Sequence, residues 1–296
     1  MDNRDVRSIR AALREGSAAL RAAGLETPWL DAVVLLCHAF GIPKERLFAR
    51  MEDQLPAGTC RTYEDALKRR GAGEPVSYIR GIKEFYGREF LVDHRVLAPR
   101  PDTETLIEAA LEVIDTDPGI TTVHDCCTGS GCVAITLAAE RPRLRVSASD
   151  ISAPALEVCR QNVRRLAAGR VRLYHSDLLQ TVAGSFDLIV ANPPYITDDE
   201  VKRMIDSGWP EPKLALAGGP DGLDLVRRLV TESIDHLSAN RYLMLEGAFD
   251  QRASVFDVFQ KNGLRGVYAR RDLAGRDRVY VGRRGLVNDD PDAGGV

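Results

Sequence analysis

Apolar positions recur at helical spacing through the first quarter of the chain, and the period then changes. Ile9, Leu13 and Leu20 fall near one face of a first helix. Thr27 followed by Pro28 predicts an N-cap and a first helical position, and the run Trp29–Phe40 stops at Gly41. Pro43 opens a further short helix, and Pro56 precedes a last one from Thr62 to Arg70. Residues 1–72 thus predict a small all-helical domain. Gly71-Ala72-Gly73-Glu74-Pro75 marks a linker. Within residues 73–95, glycines between the aromatic-rich runs Val76–Gly81 and Glu84–Val92 predict a β-hairpin joining two domains.

Next, Pro99-Arg100-Pro101-Asp102-Thr103-Glu104 turns from loop to helix, with Asp102 or Thr103 as cap and Leu106, Ile107, Ala110 and Leu111 facing inward. From residue 121 strands and helices alternate. The predicted strands are Thr122–Cys127, Leu144–Ser149, Val171–His175, Phe186–Ala191, Arg241–Glu246 and a closing pair, Val267–Arg271 and Val279–Gly282. The predicted helices between them are Gly131–Glu140, Ala153–Leu166, Asp221–Leu237 and Asp250–Asn262. Alternation of this kind predicts an α/β domain over residues 96–285, with a mostly parallel seven-stranded sheet covered by helices on both faces. Residues 286–296 have no apolar period and predict a disordered tail.

Composition narrows the class. The 296 residues allow about two domains. An apolar share of 44% and a charged share of 28% are those of an ordinary globular protein. The net charge of −3 argues against nucleic acid as a stable partner. None of the six cysteines falls into paired C-x-x-C spacing, which argues against a structural zinc site. Adjacent Cys126 and Cys127 on a buried strand are expected to face opposite sides as reduced thiols. The charged opening Met1–Asp5 is no signal peptide, and the longest apolar run, Ala32–Cys37, is too short to span a bilayer. The expectation is a cytoplasmic protein without membrane contact, and nothing demands more than a monomer.

The chemistry centres on Asn192-Pro193-Pro194-Tyr195, directly after the buried strand. Neither proline can donate to a sheet ladder, and Pro193 holds Asn192 extended. The strand therefore ends in a stiff corner. The Asn192 side-chain carbonyl and the Pro193 backbone carbonyl are left as two neighbouring acceptors, a match for a planar –NH2 group. Tyr195 adds an aromatic wall, with Pro194 completing the substrate corner. Arg100, held between two prolines, is a candidate residue near the same centre.

Three other strand ends suit a nucleoside. Cys127-Thr128-Gly129-Ser130-Gly131 gives a ligand close access to backbone. Asp150 can accept from ribose hydroxyls, and Asp177, beside Leu178, from an adenine amino group. Gly129-x-Gly131-x-x-Ala134 also fits a dinucleotide fingerprint. Two features disfavour an NAD enzyme: Asp125 would repel a pyrophosphate, and hydride transfer has no use for Asn-Pro-Pro-Tyr.

Taken together, these residues resemble the protein-(glutamine-N5) methyltransferases of the PrmC/HemK family. The matching stretches are Tyr78-Ile79-x-Gly81 with Glu84-Phe85-x-Gly87, Pro99–Glu104, Asp125 with Thr128–Gly131, Asp150, Asn192–Tyr195, Glu211-Pro212 with Ala215-Leu216, Gly219–Leu223 and Asp272–Val279. Departures are Asp102 for a usual Glu, Cys127 for a frequent Gly, and Glu246-Gly247-Ala248 for Glu-Ile-Gly. The resemblance implies a seven-stranded Rossmann-like methyltransferase domain using S-adenosylmethionine, with S-adenosylhomocysteine as product and no metal. It places Asp125, Cys127, Thr128, Gly129, Ser130, Gly131, Asp150, Asp177, Leu178 and Asn192 on the cofactor. It further implies a class I peptide chain release factor as partner, docked with help from the helical domain, and the glutamine of its Gly-Gly-Gln loop as substrate. The run Cys127–Cys132 is also similar to the branch that methylates a ribosomal-protein glutamine. Adenine-N6 DNA methyltransferases share the Asn-Pro-Pro-Tyr logic, since adenine too presents an –NH2.

Overall fold

The computed structural model describes residues 7–167 and 169–285. The expected tail at 286–296 and the charged opening Met1–Asp5 lie outside the described residues. The described residues form two compact units: one runs through Ile82 and takes in Gly208–Pro210, and the other comprises Lys83–Ser207 and residues 211–285. No helix among the described residues is long and apolar enough to cross a membrane.

The first unit is helical. Helix α1 (Ile9–Ala22) is capped by the Ser8 hydroxyl. Helix α2 (Pro28–Phe40) begins on Pro28 and ends at Gly41, whose φ of 68° is left-handed. Thr27 occupies the N-cap position but makes no capping bond; its hydroxyl donates to Asp31 instead. Short α3 (Lys44–Phe48) precedes α4 (Ala57–Gly71), which starts directly after Pro56 rather than at Thr62. Ile9, Leu13, Leu35, Leu36 and Tyr63 fill the shared core. Val76–Arg80, expected as the first arm of a hairpin, is instead a helix, α5, which Pro75 precedes and Gly81 ends.

The hairpin is built one step later, from β1 (Ile82–Phe85) and β2 (Arg88–Leu91). Its turn residues Tyr86 and Gly87 both have positive φ, the twist a two-residue hairpin needs. Phe85 and Phe90 enter the core of the second unit. Asn162 is fully buried; its side chain exchanges two hydrogen bonds with the Leu91 backbone and donates a third to the Ser130 carbonyl.

A 3-10 turn (Pro101–Thr103) leads into α6 (Glu104–Thr116). There follow β3 (Thr122–Cys126), α7 (Cys132–Glu140), β4 (Arg145–Asp150), α8 (Ala153–Leu166), β5 (Val171–His175), β6 (Phe186–Ala191), α9 (Asp198–Asp206), α10 (Asp224–His236), β7 (Leu237–Glu246), α11 (Arg252–Lys261), β8 (Leu264–Arg271) and β9 (Asp277–Arg284). The seven-stranded sheet runs β5-β4-β3-β6-β7-β9-β8. Its first five strands pair in parallel, while β9 lies antiparallel between β7 and β8. One face packs Val123, Val146, Leu188 and Val190 against α6 and α7; the other packs Ile189, Leu243 and Leu245 against α10 and α11. Helix α9 went unread in the sequence. Its signal was present, because Thr197 and Glu200 form a reciprocal capping box. The chain leaves β3 for β4 on one side and later returns to β6 on the other. That change of direction opens a crevice at the carboxyl ends of the strands.

Candidate active site

The loops after β3, β4, β5 and β6 converge on one cleft, with about 1190 Å³ of empty space including open solvent. Of the residues singled out in the sequence, Arg100, Asp125, Cys127, Thr128, Gly129, Ser130, Asp150, Asp177, Leu178, Asn192 and Pro194 line it. Gly131, Pro193 and Tyr195 do not.

The loop after β3 is shaped by backbone conformation. Cys127, Gly129 and Gly131 have φ of 61°, 55° and 84°. At Gly131 a Cβ would stand 2.6 Å from the Cys159 sulfur, so only glycine fits. The left-handed turn at Cys127 also breaks the strand alternation. Cys126 and Cys127 therefore do not face opposite sides as expected: both pack on the core shared with α10 and α11.

Asp125 is 1% exposed. Its Oδ2 accepts from the Thr128 hydroxyl at 2.5 Å and from the Ala134 N–H at 3.1 Å. Burial pushes its carboxyl up to about 7, against the pull of those two donors. Asp150 Oδ2 accepts from the Gly129 N–H and Oδ1 from the Ser152 N–H, both at 2.8 Å. Each oxygen keeps a further acceptor position, which suits a pair of ribose hydroxyls. Asp177 pairs with Arg228 at 2.8 Å, and Leu178 takes a left-handed φ of 48° beside it. Half-exposed Ile151, which sequence reasoning passed over, adds an apolar wall after Asp150.

On the other side stands the Asn-Pro-Pro-Tyr corner. Asn192 Nδ2 donates to Thr103 Oγ1 at 3.2 Å. In this assignment Asn192 Oδ1 has no donor among the described residues, and neither has the Pro193 carbonyl. Thr103 takes the N-cap position of α6, as expected, but its side chain makes no capping bond. Its hydroxyl serves Asn192 instead. The Tyr195 phenol donates to Glu246 Oε1 at 3.3 Å, and the Tyr195 carbonyl accepts from Gln251 Nε2 at 3.0 Å. The Gly219–Leu223 stretch braces the corner: a Cβ on Gly222 would lie 2.3 Å from that same Tyr195 carbonyl. Arg100 pairs with Glu211, a buried carboxylate that also accepts from the Ala98 N–H. This pairing holds Arg100 at the cleft wall.

A glycine-bearing turn after β3, an acid ending β4 and a crevice at the sheet reversal suit a nucleoside cofactor, and the match to a methyltransferase domain makes the class that of S-adenosylmethionine-dependent methyltransferases. A methyltransferase from Pyrococcus furiosus shares the fold, at 18% identity and a TM-score of 0.51 over 69% of this chain and 92% of its own. Residues 11–81 match the PrmC N-terminal domain and residues 103–208 the methyltransferase small domain. A release factor glutamine methyltransferase from Moorella thermoacetica is 41% identical over 280 residues, covering 94% of this chain and 99% of the relative. A second, from Neisseria gonorrhoeae, is 41% identical over 86% of this chain and 93% of its own. The chain belongs to the release factor glutamine methyltransferase family.

Proposed function

We propose that this protein transfers a methyl group from S-adenosylmethionine to the side-chain amide nitrogen of the glutamine in the Gly-Gly-Gln loop of a class I peptide chain release factor. The observation that carries this reading is 41% identity held across nearly the whole length of a relative bearing that activity in its name. The same relatives favour the release-factor branch over the ribosomal-protein branch and over adenine methylation.

The cleft residues fit the cofactor. In this reading Asp150 accepts from the ribose hydroxyls, Asp177 and Leu178 hold the adenine, and the Thr128–Gly131 turn with Asp125 holds the methionine part. When bound, S-adenosylmethionine supplies an electrophilic methyl group on a positively charged sulfur. The protein's task is to present a poor nucleophile, since an amide lone pair is delocalised into its carbonyl. Asn192 Oδ1 and the Pro193 carbonyl accept the two N–H groups of the glutamine carboxamide and fix its nitrogen. Positioning of this kind is worth up to about 7–11 kcal/mol of barrier. The same two oxygens stabilise positive charge as it develops on nitrogen. Asn192 is no base, so the amide proton leaves to solvent.

The test is peptide mapping by mass spectrometry of a purified release factor incubated with this protein and S-adenosylmethionine. A gain of one CH2 on the glutamine of the Gly-Gly-Gln peptide is expected. An unmodified peptide after complete incubation contradicts the reading.

A further inference from the structure

Helix α10 holds the loop that follows β5 at two points. Arg228 Nη2 donates to Asp177 Oδ2 at 2.8 Å. Glu232 Oε2 accepts from the Leu179 N–H at 3.1 Å, and Glu232 Oε1 stands 3.5 Å from the same Arg228 Nη2. Positions 228 and 232 lie one helical turn apart, so both side chains leave one face of the helix. Between these anchors sits Leu178, whose carbonyl accepts from the Ser149 hydroxyl of β4 at 3.1 Å. Residues 177–179 are thereby gripped by a helix on one side and a strand on the other.

Two neighbouring groups of this segment are left over. Asp177 Oδ1 has no donor among the described residues, and the Leu178 N–H has no acceptor among them. Asp177, Leu178 and Arg228 all line the cleft. A carboxylate oxygen beside a backbone N–H matches a base edge that offers an amino N–H beside a ring-nitrogen acceptor. Adenine has that edge. Hypoxanthine has its reverse, a carbonyl oxygen beside a ring N–H, so each contact would set like groups against each other. This discrimination lasts only while Oδ1 stays turned to the cleft. The Asp177 side chain is 34% exposed, so packing alone does not fix its rotation. Arg228 is the partner of its carboxylate among the described residues.

We propose that Arg228 is a specificity-determining residue: by holding Asp177 Oδ2 it keeps Oδ1 on the cofactor base, so that the cleft takes a 6-amino purine nucleoside and rejects its 6-oxo counterpart. The proposal rests on the function proposed above only in requiring a purine nucleoside cofactor, and its test needs no methyl transfer. Arg228 and Asp177 are both partly exposed, so their pair adds little to stability and its loss is read in binding.

The experiment is calorimetric titration of the full chain with S-adenosylhomocysteine and with its deaminated analogue, S-inosylhomocysteine. Wild type is expected to bind the adenosyl compound about a hundredfold or more tighter. In Arg228→Met the adenosyl Kd rises about tenfold while the inosyl Kd changes by less than about twofold, so the preference falls about tenfold. Arg228→Lys keeps a cation within reach of Asp177 and recovers part of the preference. Should Arg228→Met unfold, Arg228→Gln carries the test, with the same direction expected. A merely structural role would weaken both compounds alike. Equal weakening of both, unchanged Kd values in the variant, or a wild type without the preference overturns the role of Arg228 while leaving the proposed activity standing. A wild type that binds neither compound overturns the cofactor reading as well.

Discussion

Thr103 Oγ1 accepts the Asn192 N–H at 3.2 Å, across 89 positions of sequence. This bond decides which end of the Asn192 carboxamide is free. Thr103→Val keeps the shape and removes the acceptor, so the amide is free to turn over. We expect kcat to fall about tenfold with little change in cofactor Kd, and Thr103→Ser to restore it. Steady-state kinetics with release factor and direct cofactor titration check both halves.

With Asp125 on the cofactor as proposed, affinity is expected to depend on pH. Its carboxyl is pushed up to about 7 by burial, and a cationic ligand favours the ionised form. Binding below neutrality must therefore release a proton. Affinity for S-adenosylmethionine is expected to weaken as pH falls below about 7, by up to about tenfold per pH unit. Asp125→Asn removes this dependence and lowers affinity at alkaline pH. Calorimetry in buffers of different ionisation enthalpy reads the released proton directly.

Gly131 can tolerate no side chain. Gly131→Ala combines a left-handed φ of 84° with a Cβ 2.6 Å from the Cys159 sulfur. The expected loss is about 2 kcal/mol or more in urea unfolding, together with weaker cofactor binding. Cys159→Ala in the same chain is expected to recover part of that loss.

Asn162 ties the β1–β2 hairpin to the turn after β3. Removing its amide leaves the Leu91 N–H, the Leu91 carbonyl and the Ser130 carbonyl without their partner. Asn162→Ala is expected to destabilise by about 2–4 kcal/mol. Urea unfolding followed by fluorescence measures it.

The alternation of strands and helices was legible because each buried strand is a short apolar run and each helix an amphipathic one. The stiff corner at Asn192 was legible because two prolines constrain backbone whatever surrounds them. What escaped depended on distant pairing. Glu246 comes beside Asn192 only through the register of β6 against β7, which no local spacing reveals. Thr103 holds the N-cap position that its place before a helical run predicted, but tertiary structure gave its hydroxyl a different partner. Cys126 and Cys127 misled because the alternation rule assumes both residues remain in the strand. Val76–Arg80 looked like a strand from its Val, Tyr and Ile content, whereas Pro75 and Gly81 bracket a single helical turn.

In the proposed reaction Asn192 grips the substrate amide rather than the cofactor. Intact-mass kinetics of release factor methylation by wild type and Asn192→Ala, paired with cofactor Kd for each, test it most directly. A rate loss of about a hundredfold or more is expected in Asn192→Ala, with nearly unchanged cofactor Kd. A variant that methylates at the wild-type rate, or that loses cofactor binding in step with its rate, contradicts it.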